Sequence, residues 1–319
     1  MITAASPVKA PAESPRQRRP LIDVARGVAL VAMALYHGSW NATFLGLASF
    51  DLLGDPLWLA ARTVILSSFL LLAGVSLVLA SRGGLDPLRF LRRLAMLAAA
   101  AVAVSLSSYL LFPDSPIFFG VLHHLAVASI LGLVFVRLPG LVTLAAALAV
   151  GLVGDTLSFP AFDQPWLIWV GMATVPPNSN DYVPLFPWFS GVLAGIALAR
   201  LWPGIGRGEA PAGGIGRALA WGGRHSLSVY LVHQPVLFGL FWLAAQAVGT
   251  EPATVREFHA SCIAACTQSG GGLDQCQANC RCVQRELTRA GQWEAFLADR
   301  LDGPGRQSIG EAVRSCGGG

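Results

Sequence analysis

Residues 26–37 read RGVALVAMALYH, an apolar run that is opened by an arginine and closed by a histidine. Such runs recur along the chain, in which 54% of the residues are hydrophobic and only 13% are charged. A soluble domain carries about 25% charged residues. The composition therefore predicts a polytopic membrane protein. In such a chain the net charge of +4 does not point to a nucleic-acid partner, because the placement of the charges matters more than their sum.

Apolar blocks along the chain are long enough to be interpreted as membrane helices, since about 20 apolar residues cross the bilayer core. The sequence predicts an all-α membrane bundle with about seven spans, at residues 21–47, 58–80, 94–112, 117–136, 140–157, 185–201 and 226–248. We expect three regions in order: a disordered tail over 1–19, a transmembrane domain over 20–249 and a cysteine-rich helical segment over 250–319.

Arginine and lysine occur in every second connection between these spans and are absent from the others. The N-terminal tail and the second, fourth and sixth connections contain them, whereas the other connections carry aspartate only. Connections on the cytoplasmic side are enriched in Arg and Lys. The pattern predicts a multi-pass protein of the inner (plasma) membrane, with a cytoplasmic N-terminus and an extracytoplasmic C-terminal segment.

All six cysteines lie beyond residue 250. Disulfides persist in oxidising compartments, which agrees with an extracytoplasmic position. Two CxxxC pairs flank a Gly-rich turn, and i, i+4 spacing puts both thiols of a pair on one helical face. We expect a helical hairpin with the bridges Cys262–Cys280, Cys266–Cys276 and Cys282–Cys316, although six cysteines allow 15 connectivities. A zinc or iron–sulfur site is the alternative, but CxxxC is not the usual zinc spacing, and we expect no metal.

Polar residues form a line along the first predicted helix. Arg26 and His37 are eleven residues apart, which is about three turns, or about 16 Å along the axis. Asp23 and Asn41 extend the same face at either end. An arginine at a helix centre costs about 2.5–3.5 kcal/mol on insertion scales, and such residues usually serve function. The alternatives are an interfacial snorkelling anchor for Arg26 and a helix–helix contact for His37.

Histidines in two further spans are candidates for the same site. His123 and His124 open the fourth span, and His233 lies in the last one together with Tyr230. Neutral histidine can act as a general base near neutral pH.

Arginines in the predicted cytoplasmic connections are candidates for binding phosphate. We expect Arg89, Arg92 and Arg93 to share one face of a short cytoplasmic helix before the third span. Arg224 precedes the last span. Arginine forks match phosphate geometry, but the positive-inside rule alone also explains these charges.

Four stretches resemble, in order, the heparan-α-glucosaminide N-acetyltransferase catalytic-domain family of bacterial membrane proteins. They are LIDVARGVALVAMALYHGSWN, IFFGVLHHLAVASILGL, DYVPLFPWFSGVLAGIAL and GRHSLSVYLVHQPVL, and the resemblance covers about residues 18–245. The spacing from Arg26 to His37 also resembles the Arg/Lys-x10-His signature of the wider membrane acyltransferase-3 superfamily.

The resemblance implies an enzyme that moves an acetyl or other short acyl group from cytoplasmic acyl-CoA to an extracytoplasmic sugar or glycan. His37 would match the superfamily histidine, and Asp23 with Arg26 the charged pair. His123, Arg224 and His233 fall in motifs whose roles are less settled. The cysteine-rich segment lies outside the resemblance.

The residue chemistry fits such a transfer. His37 could take the acceptor's proton or accept the acyl group itself, and Asn41 or Tyr230 could stabilise the oxyanion. The arginines of the cytoplasmic side, including Arg26, would hold the phosphates of CoA.

Three other classes of function fit parts of the sequence. The histidines could ligate an intramembrane haem, which would give a Soret band. The polar line could be the path of a transporter, although the two halves of the chain show no similarity to each other. The membrane part could instead anchor the cysteine-rich segment for a partner.

Overall fold

The computed structural model describes residues 19–209, 213–250, 253–297, 300–301 and 303–317, and this part of the chain is helical, without strands. The helices are α1 (Pro20–Phe44), α2 (Pro56–Ser81), α3 (Pro87–Leu111), α4 (Val121–Val136), α5 (Gly140–Thr156), α6 (Leu185–Leu201), α7 (Gly214–Arg224), α8 (Ser226–Val248), α9 (Ala253–Gln268), α10 (Leu273–Arg289), α11 (Trp293–Leu297) and α12 (Gly303–Gly317). Two 3₁₀ turns, Pro160–Asp163 and Ile168–Val170, lie between α5 and α6. The tail predicted over residues 1–19 falls almost entirely outside the described residues.

The apolar helices confirm the predicted all-α membrane fold. Helices α1, α2, α3 and α8 are long and apolar enough to cross a bilayer by length and composition. Helices α4, α5 and α6 are apolar but have only 16 or 17 residues. At a rise of 1.5 Å per residue they extend about 24–26 Å, which is less than the bilayer core of about 30 Å. The number of spans and the orientation of the termini stay predictions.

Helix α3 begins earlier than the sequence suggested. Asp86 caps it by accepting a hydrogen bond from the backbone N–H of Arg89 at 3.1 Å, and Pro87 occupies its first position. Arg89, Arg92 and Arg93 therefore lie in the first two turns of α3 itself, and the prediction of a separate short helix is wrong. The physical reason is that an Asp-Pro cap starts a helix there and no helix breaker follows it.

The chain folds into two compact units that do not follow the order of the sequence. One unit comprises Met1–Tyr36 and Leu52–Pro235, and the other comprises His37–Asp51 and Val236–Gly319. Helices α1 and α8 each contribute residues to both units. The domain boundaries predicted from the sequence stay a prediction, and the two units are described separately below.

In the first unit, α2 and α6 cross in close backbone contact. A Cβ atom built on Gly74 would lie 2.1 Å from the carbonyl oxygen of Val192. A Cβ atom on Gly195 would lie 2.1 Å from the carbonyl oxygen of Leu71. Small residues allow membrane helices to approach in this way. The crossing supports a core that includes the fully buried Leu70, Val75, Leu193 and Ile196.

Arginines from different connections gather at one end of the first unit. Arg82 donates hydrogen bonds of 2.8 Å to the carbonyl oxygens of Ala199 and Pro203, which close the end of α6. Burial lowers the pKa of the Arg82 guanidinium, and the nearby charges of three further arginines act in the same direction: Arg19, Arg207 and Arg200. These residues come from the tail and from the second and sixth connections, which the charge pattern assigned to one side.

Two connections of the opposite predicted side also meet. The side-chain amide of Asn178 donates to the carbonyl oxygen of Asp114 at 2.9 Å, and the backbone N–H of Asn180 donates to that of Ser115 at 3.2 Å. The segments 113–116 and 158–184 therefore lie together, as connections on the same side of a bundle should.

In the second unit, disulfides fix a helical hairpin. Helices α9 and α10 are joined by Cys262–Cys280 and Cys266–Cys276, and Cys282–Cys316 fastens α12 to α10. The predicted hairpin and its pairing are confirmed. A small apolar core lies beside the bridges, built by Val255, Val283, Leu287, Trp293 and Ala312.

Candidate functional site

The predicted polar line lies on one continuous helix. Helix α1 runs from Pro20 to Phe44 without interruption and carries Asp23, Arg26, His37 and Asn41. In its first turns, Arg26 Nη1 lies 3.5 Å from Asp23 Oδ1, and these side chains are only 25% and 17% exposed. This ion pair belongs to the first compact unit.

Arg26 also binds a serine that sequence reasoning missed. Its Nη2 group donates to the hydroxyl oxygen of Ser76 on α2, and that hydroxyl donates to the carbonyl oxygen of Leu72 in its own helix. Ser76 is buried, with 7% of its surface exposed. A serine within an apolar helix usually bonds to the preceding turn and gives no sequence signal of a second contact. This hydrogen bond holds the guanidinium group of Arg26 between α1 and α2.

Helix α7, which the sequence did not predict, packs tightly on this part of α1. A Cβ atom on Gly223 would lie 1.8 Å from the carbonyl oxygen of Asp23, and one on Gly27 would lie 2.1 Å from that of Leu219. Arg224 follows Gly223 directly and is exposed. The packing therefore places the end of α7, with Arg224, beside Asp23 and Arg26.

Helix α3 brings a second arginine toward Arg26. Arg93 is half-buried and lines a cavity together with Leu77 of α2, which directly follows the Ser76 that Arg26 contacts. The same cavity, of about 70 Å³ between α2 and α3, is also lined by Arg89, which forms an ion pair of 2.6 Å with Asp86. Arg92 is exposed. Pockets for whole ligands hold roughly 300–1,000 Å³, so this cavity has room for a phosphate-sized group only.

His37 and Asn41 belong to the second compact unit. Asn41 is fully buried, with 0% of its surface exposed, and His37 is half-buried. They are one helical turn apart on α1, so their side chains share a face as predicted. An amide one turn from an imidazole is a possible hydrogen-bond donor to a reacting carbonyl group.

Both ring nitrogens of His123 are engaged in the first unit. Nδ1 accepts a hydrogen bond from the backbone N–H of Gly120 at 3.2 Å, so the ring proton of the neutral form lies on Nε2. Nε2 is 3.3 Å from the hydroxyl of Ser105, which donates to the carbonyl oxygen of Ile117 at 2.6 Å. In this arrangement His123 holds the start of α4 and leaves no lone pair for a substrate proton.

In the neighbouring residue, His124, only one of the two ring nitrogens has a hydrogen-bond partner among the described residues. His124 is fully buried and its Nδ1 donates to the carbonyl oxygen of Pro184 at 3.2 Å. Its Nε2 atom is buried and has no hydrogen-bond partner among the described residues. His233 on α8 is half-buried, and its Nδ1 donates to the carbonyl oxygen of Tyr230 at 2.6 Å. The structure does not bring His123 and Arg26 into one cluster.

The structure reveals one carboxylate that sequence reasoning did not single out. Asp181 precedes α6 and accepts a hydrogen bond of 3.1 Å from the backbone N–H of Val121, at the start of α4. Burial raises the pKa of the Asp181 carboxyl group. The only sequence signal was its place at the start of the quoted stretch DYVPLFPWFSGVLAGIAL.

Comparison with known proteins gives one result. A family model described as "Heparan-alpha-glucosaminide N-acetyltransferase, catalytic" matches residues 18–235, which include Arg26, His37 and Asp181. Neither a curated protein nor a solved structure matches the chain. Among the described residues, no group of three or more His, Cys, Asp or Glu side chains is placed to hold a metal ion.

Proposed function

Because the chain belongs to the heparan-alpha-glucosaminide N-acetyltransferase catalytic family, we propose that it moves an acetyl or other short acyl group from acyl-CoA to a sugar or glycan acceptor across the membrane. The family match covers more than half of the chain, and the fold is that of a membrane protein. The donor enters from the arginine-rich, cytoplasmic end, and the acceptor is extracytoplasmic. The bilayer, acyl-CoA and the acceptor glycan are the partners.

The observation that carries this proposal is the charge imbalance around Arg26. Two half-buried guanidinium groups lie near the same turn of α2, because Arg26 contacts Ser76 and Arg93 lines a cavity together with Leu77. Among the described residues, the carboxylate paired with Arg26 is that of Asp23, at 3.5 Å. Like charges in a poorly solvated site destabilise each other unless an anion lies between or beside them. The phosphates of CoA supply such an anion, and arginine forks bind phosphate through two parallel hydrogen bonds.

The exposed arginines extend this site toward the aqueous phase. Arg89 lines the cavity between α2 and α3. Arg92 and Arg224 are exposed; Arg92 directly precedes Arg93, and Arg224 directly follows Gly223. The cavity has room for a phosphate-sized group, so in this proposal it receives a phosphate of CoA and not the nucleotide as a whole.

His37 carries the chemistry in this proposal. The acceptor amine or hydroxyl attacks the thioester carbonyl, a new N–C or O–C bond forms, and the C–S bond breaks. Neutral His37 takes the proton of the attacking group and returns it to the departing CoA thiolate. Asn41, one turn away and fully buried, donates a hydrogen bond to the oxyanion. Transfer through an acyl-histidine is the alternative route.

The test uses the purified full chain in lipid nanodiscs with radiolabelled acetyl-CoA. We expect release of the CoA thiol and labelling of a glycan from envelope extracts. His37→Ala should abolish both while thermal unfolding stays unchanged. His259→Ala, on α9 outside the family match, is the matched control and should retain activity. Transfer at the wild-type rate by the His37 variant would remove that residue from the mechanism, and a Soret band in the preparation would favour haem binding instead.

A further inference from the structure

The cysteine-rich segment contacts the end of α1. Arg256 lies in the first turn of α9, and its Nη2 group donates hydrogen bonds to the carbonyl oxygens of Thr43 at 3.2 Å and of Phe44 at 2.5 Å. The hydroxyl of Thr250, between α8 and α9, donates to the carbonyl oxygen of Leu45 at 2.9 Å. All of these residues belong to the second compact unit. Two side chains of the cysteine-rich segment therefore bind three successive carbonyl groups where α1 ends.

These carbonyl groups are ones that a helix cannot bond internally. The last four C=O groups of a helix have no N–H donor within the helix, and they carry its partial negative charge. A cationic side chain in this position satisfies the oxygens and interacts favourably with the helix dipole. The guanidinium group of the half-buried Arg256 is partly shielded from water in this position. It therefore acts as a cap on the carbonyl end of α1.

The turn after α1 leaves space for the guanidinium group. Gly46 has φ +77°, in the left-handed region, and a Cβ atom built there would lie 2.2 Å from Arg256 Nη1. A left-handed glycine commonly ends a helix. The backbone N–H groups of Leu47 and Ala48 both donate to the carbonyl oxygen of Ala42, at 2.8 and 3.1 Å, and so turn the chain back. Glycine is required at residue 46 both by the backbone conformation and by the space that the arginine occupies.

Arg256 is attached to a helix that is itself held in place. The adjacent Val255 is buried in the small apolar core that also contains Leu287 of α10. Cys262, further along α9, is bonded to Cys280 of α10. The disulfide-bonded hairpin therefore fixes α9, and the hydrogen bonds of Arg256 connect α9 to the end of α1.

The residues assigned to acyl transfer lie just before this cap. The backbone N–H of Leu45 donates to the carbonyl oxygen of Asn41 at 2.9 Å, and His37 lies one turn before Asn41. The ring of Phe44 lies 6.3 Å from that of Phe238 on α8, within the same unit. Misplacing a catalytic group by about 1 Å can lower a rate roughly 100-fold. A shift at the end of α1 would therefore change the rate through both side chains.

We propose that Arg256 is a positioning residue for acyl transfer, which holds His37 and Asn41 in place by capping the carbonyl end of α1 from the cysteine-rich segment. This inference rests on the acyl transfer proposed above. It gives residues 250–319, which lie outside the family match, a part in the reaction. Arg256 contacts neither substrate and acts through α1.

The first test separates turnover from donor binding. The full chain in lipid nanodiscs is assayed for release of CoA thiol from acetyl-CoA, with envelope extract as the source of acceptor. Arg256→Ala should lower kcat by roughly 10- to 100-fold. The KM for acetyl-CoA should stay unchanged, because the arginines proposed to hold its phosphates belong to the first unit. Arg256→Lys, which keeps a cationic donor, should recover most of the lost rate.

Arg289→Ala is the matched control. Arg289 lies on α10 of the same segment but is exposed, and its guanidinium group donates to the carboxylate of Glu286 in its own helix at 2.8 Å. This variant should keep wild-type kinetics. Thr250→Val removes the hydroxyl that bonds to Leu45 and leaves Arg256 in place. It should lower kcat to a smaller extent, and it covers the case in which Arg256→Ala fails to fold.

A second readout follows the end of α1 without turnover. Hydrogen exchange at the backbone amides of residues 44–48 reports local opening of the helix end. A hydrogen bond to a charged group corresponds to about 10- to 150-fold in an equilibrium constant. Exchange at these amides should therefore be at least about tenfold faster in Arg256→Ala than in the wild type. It should be unchanged in Arg289→Ala, and replacing Cys262 and Cys280 by Ser should also accelerate it.

The two readouts distinguish the possible outcomes. Wild-type kcat in Arg256→Ala, an equal loss in Arg289→Ala, or unchanged exchange at residues 44–48 would overturn the proposal. So would a lysine variant that is as slow as the alanine variant. If the wild type shows no turnover while exchange is faster in Arg256→Ala, the proposed function has failed and the cap on α1 is purely structural.

Discussion

The charge imbalance around Arg26 leads to a quantitative prediction for donor binding. Replacing Arg26 by Gln removes a guanidinium group that is 25% exposed and that contacts Asp23 at 3.5 Å as well as Ser76. A hydrogen bond to a charged group contributes about 1.5–3 kcal/mol. Loss of one phosphate contact of this kind should therefore raise the dissociation constant for acetyl-CoA by roughly 10- to 150-fold.

The ion pair with Asp23 has to be separated from this effect. Two unit charges 3.5 Å apart interact by about 1 kcal/mol in water and by about 5 kcal/mol at an effective dielectric constant of 20. Removing Arg26 leaves Asp23 without this partner, so part of the loss will appear as a lower unfolding temperature. Asp23→Asn combined with Arg26→Gln should restore stability but not donor binding.

The assay is a titration of acetyl-CoA by isothermal calorimetry, with a thermal unfolding curve for each variant. Arg93→Gln should weaken binding to a similar extent, and the double variant should lose less than the sum because both arginines bind one anion. Arg137→Gln is the control, since Arg137 is exposed at the end of α4. Wild-type affinity in Arg26→Gln, or the same loss in Arg137→Gln, would refute the reasoning.

Two further predictions concern packing and the disulfides. Gly223→Ala should destabilise the protein by about 1–3 kcal/mol because its Cβ would lie 1.8 Å from a backbone oxygen, whereas Gly222→Ala, which meets no atom within 4 Å, should stabilise α7 slightly in thermal unfolding. If both variants shift the unfolding temperature in the same direction, the close crossing of α7 is absent. Replacing Cys282 and Cys316 by Ser opens a bridge with a sequence separation of 34 and should cost about 4 kcal/mol in the chain-entropy model, which limited proteolysis of α12 will detect as faster cleavage. Equal cleavage rates with and without the bridge would contradict this estimate.

The site illustrates why adjacent histidines can have different roles. His123 and His124 looked equivalent in the sequence, yet one has both ring nitrogens engaged and the other has a buried Nε2 without a partner among the described residues. The difference arises from their neighbours: Gly120 and Ser105 around His123, and Pro184 around His124. Only the packing of α3, α4 and the segment before α6 decides it.

The sequence by itself determined the features that depend on local periodicity. Apolar run length predicted the membrane helices, and the spacing of Asp23, Arg26, His37 and Asn41 predicted their common helix, because 3.6 residues per turn fix which side chains share a face. The i, i+4 spacing of the cysteines likewise led to the correct hairpin. Four ordered stretches identified the family.

Only the tertiary structure decided which distant residues meet. Two pairs of residues that meet are 50 or more positions apart in the sequence: Arg26 with Ser76, and Asp181 with Val121. No periodic pattern encodes such pairs, because they depend on how helix surfaces pack and on where glycines allow backbones to approach. Apolar run length and helical periodicity therefore gave most of the helices of this protein, whereas packing between helices decided which polar side chains meet.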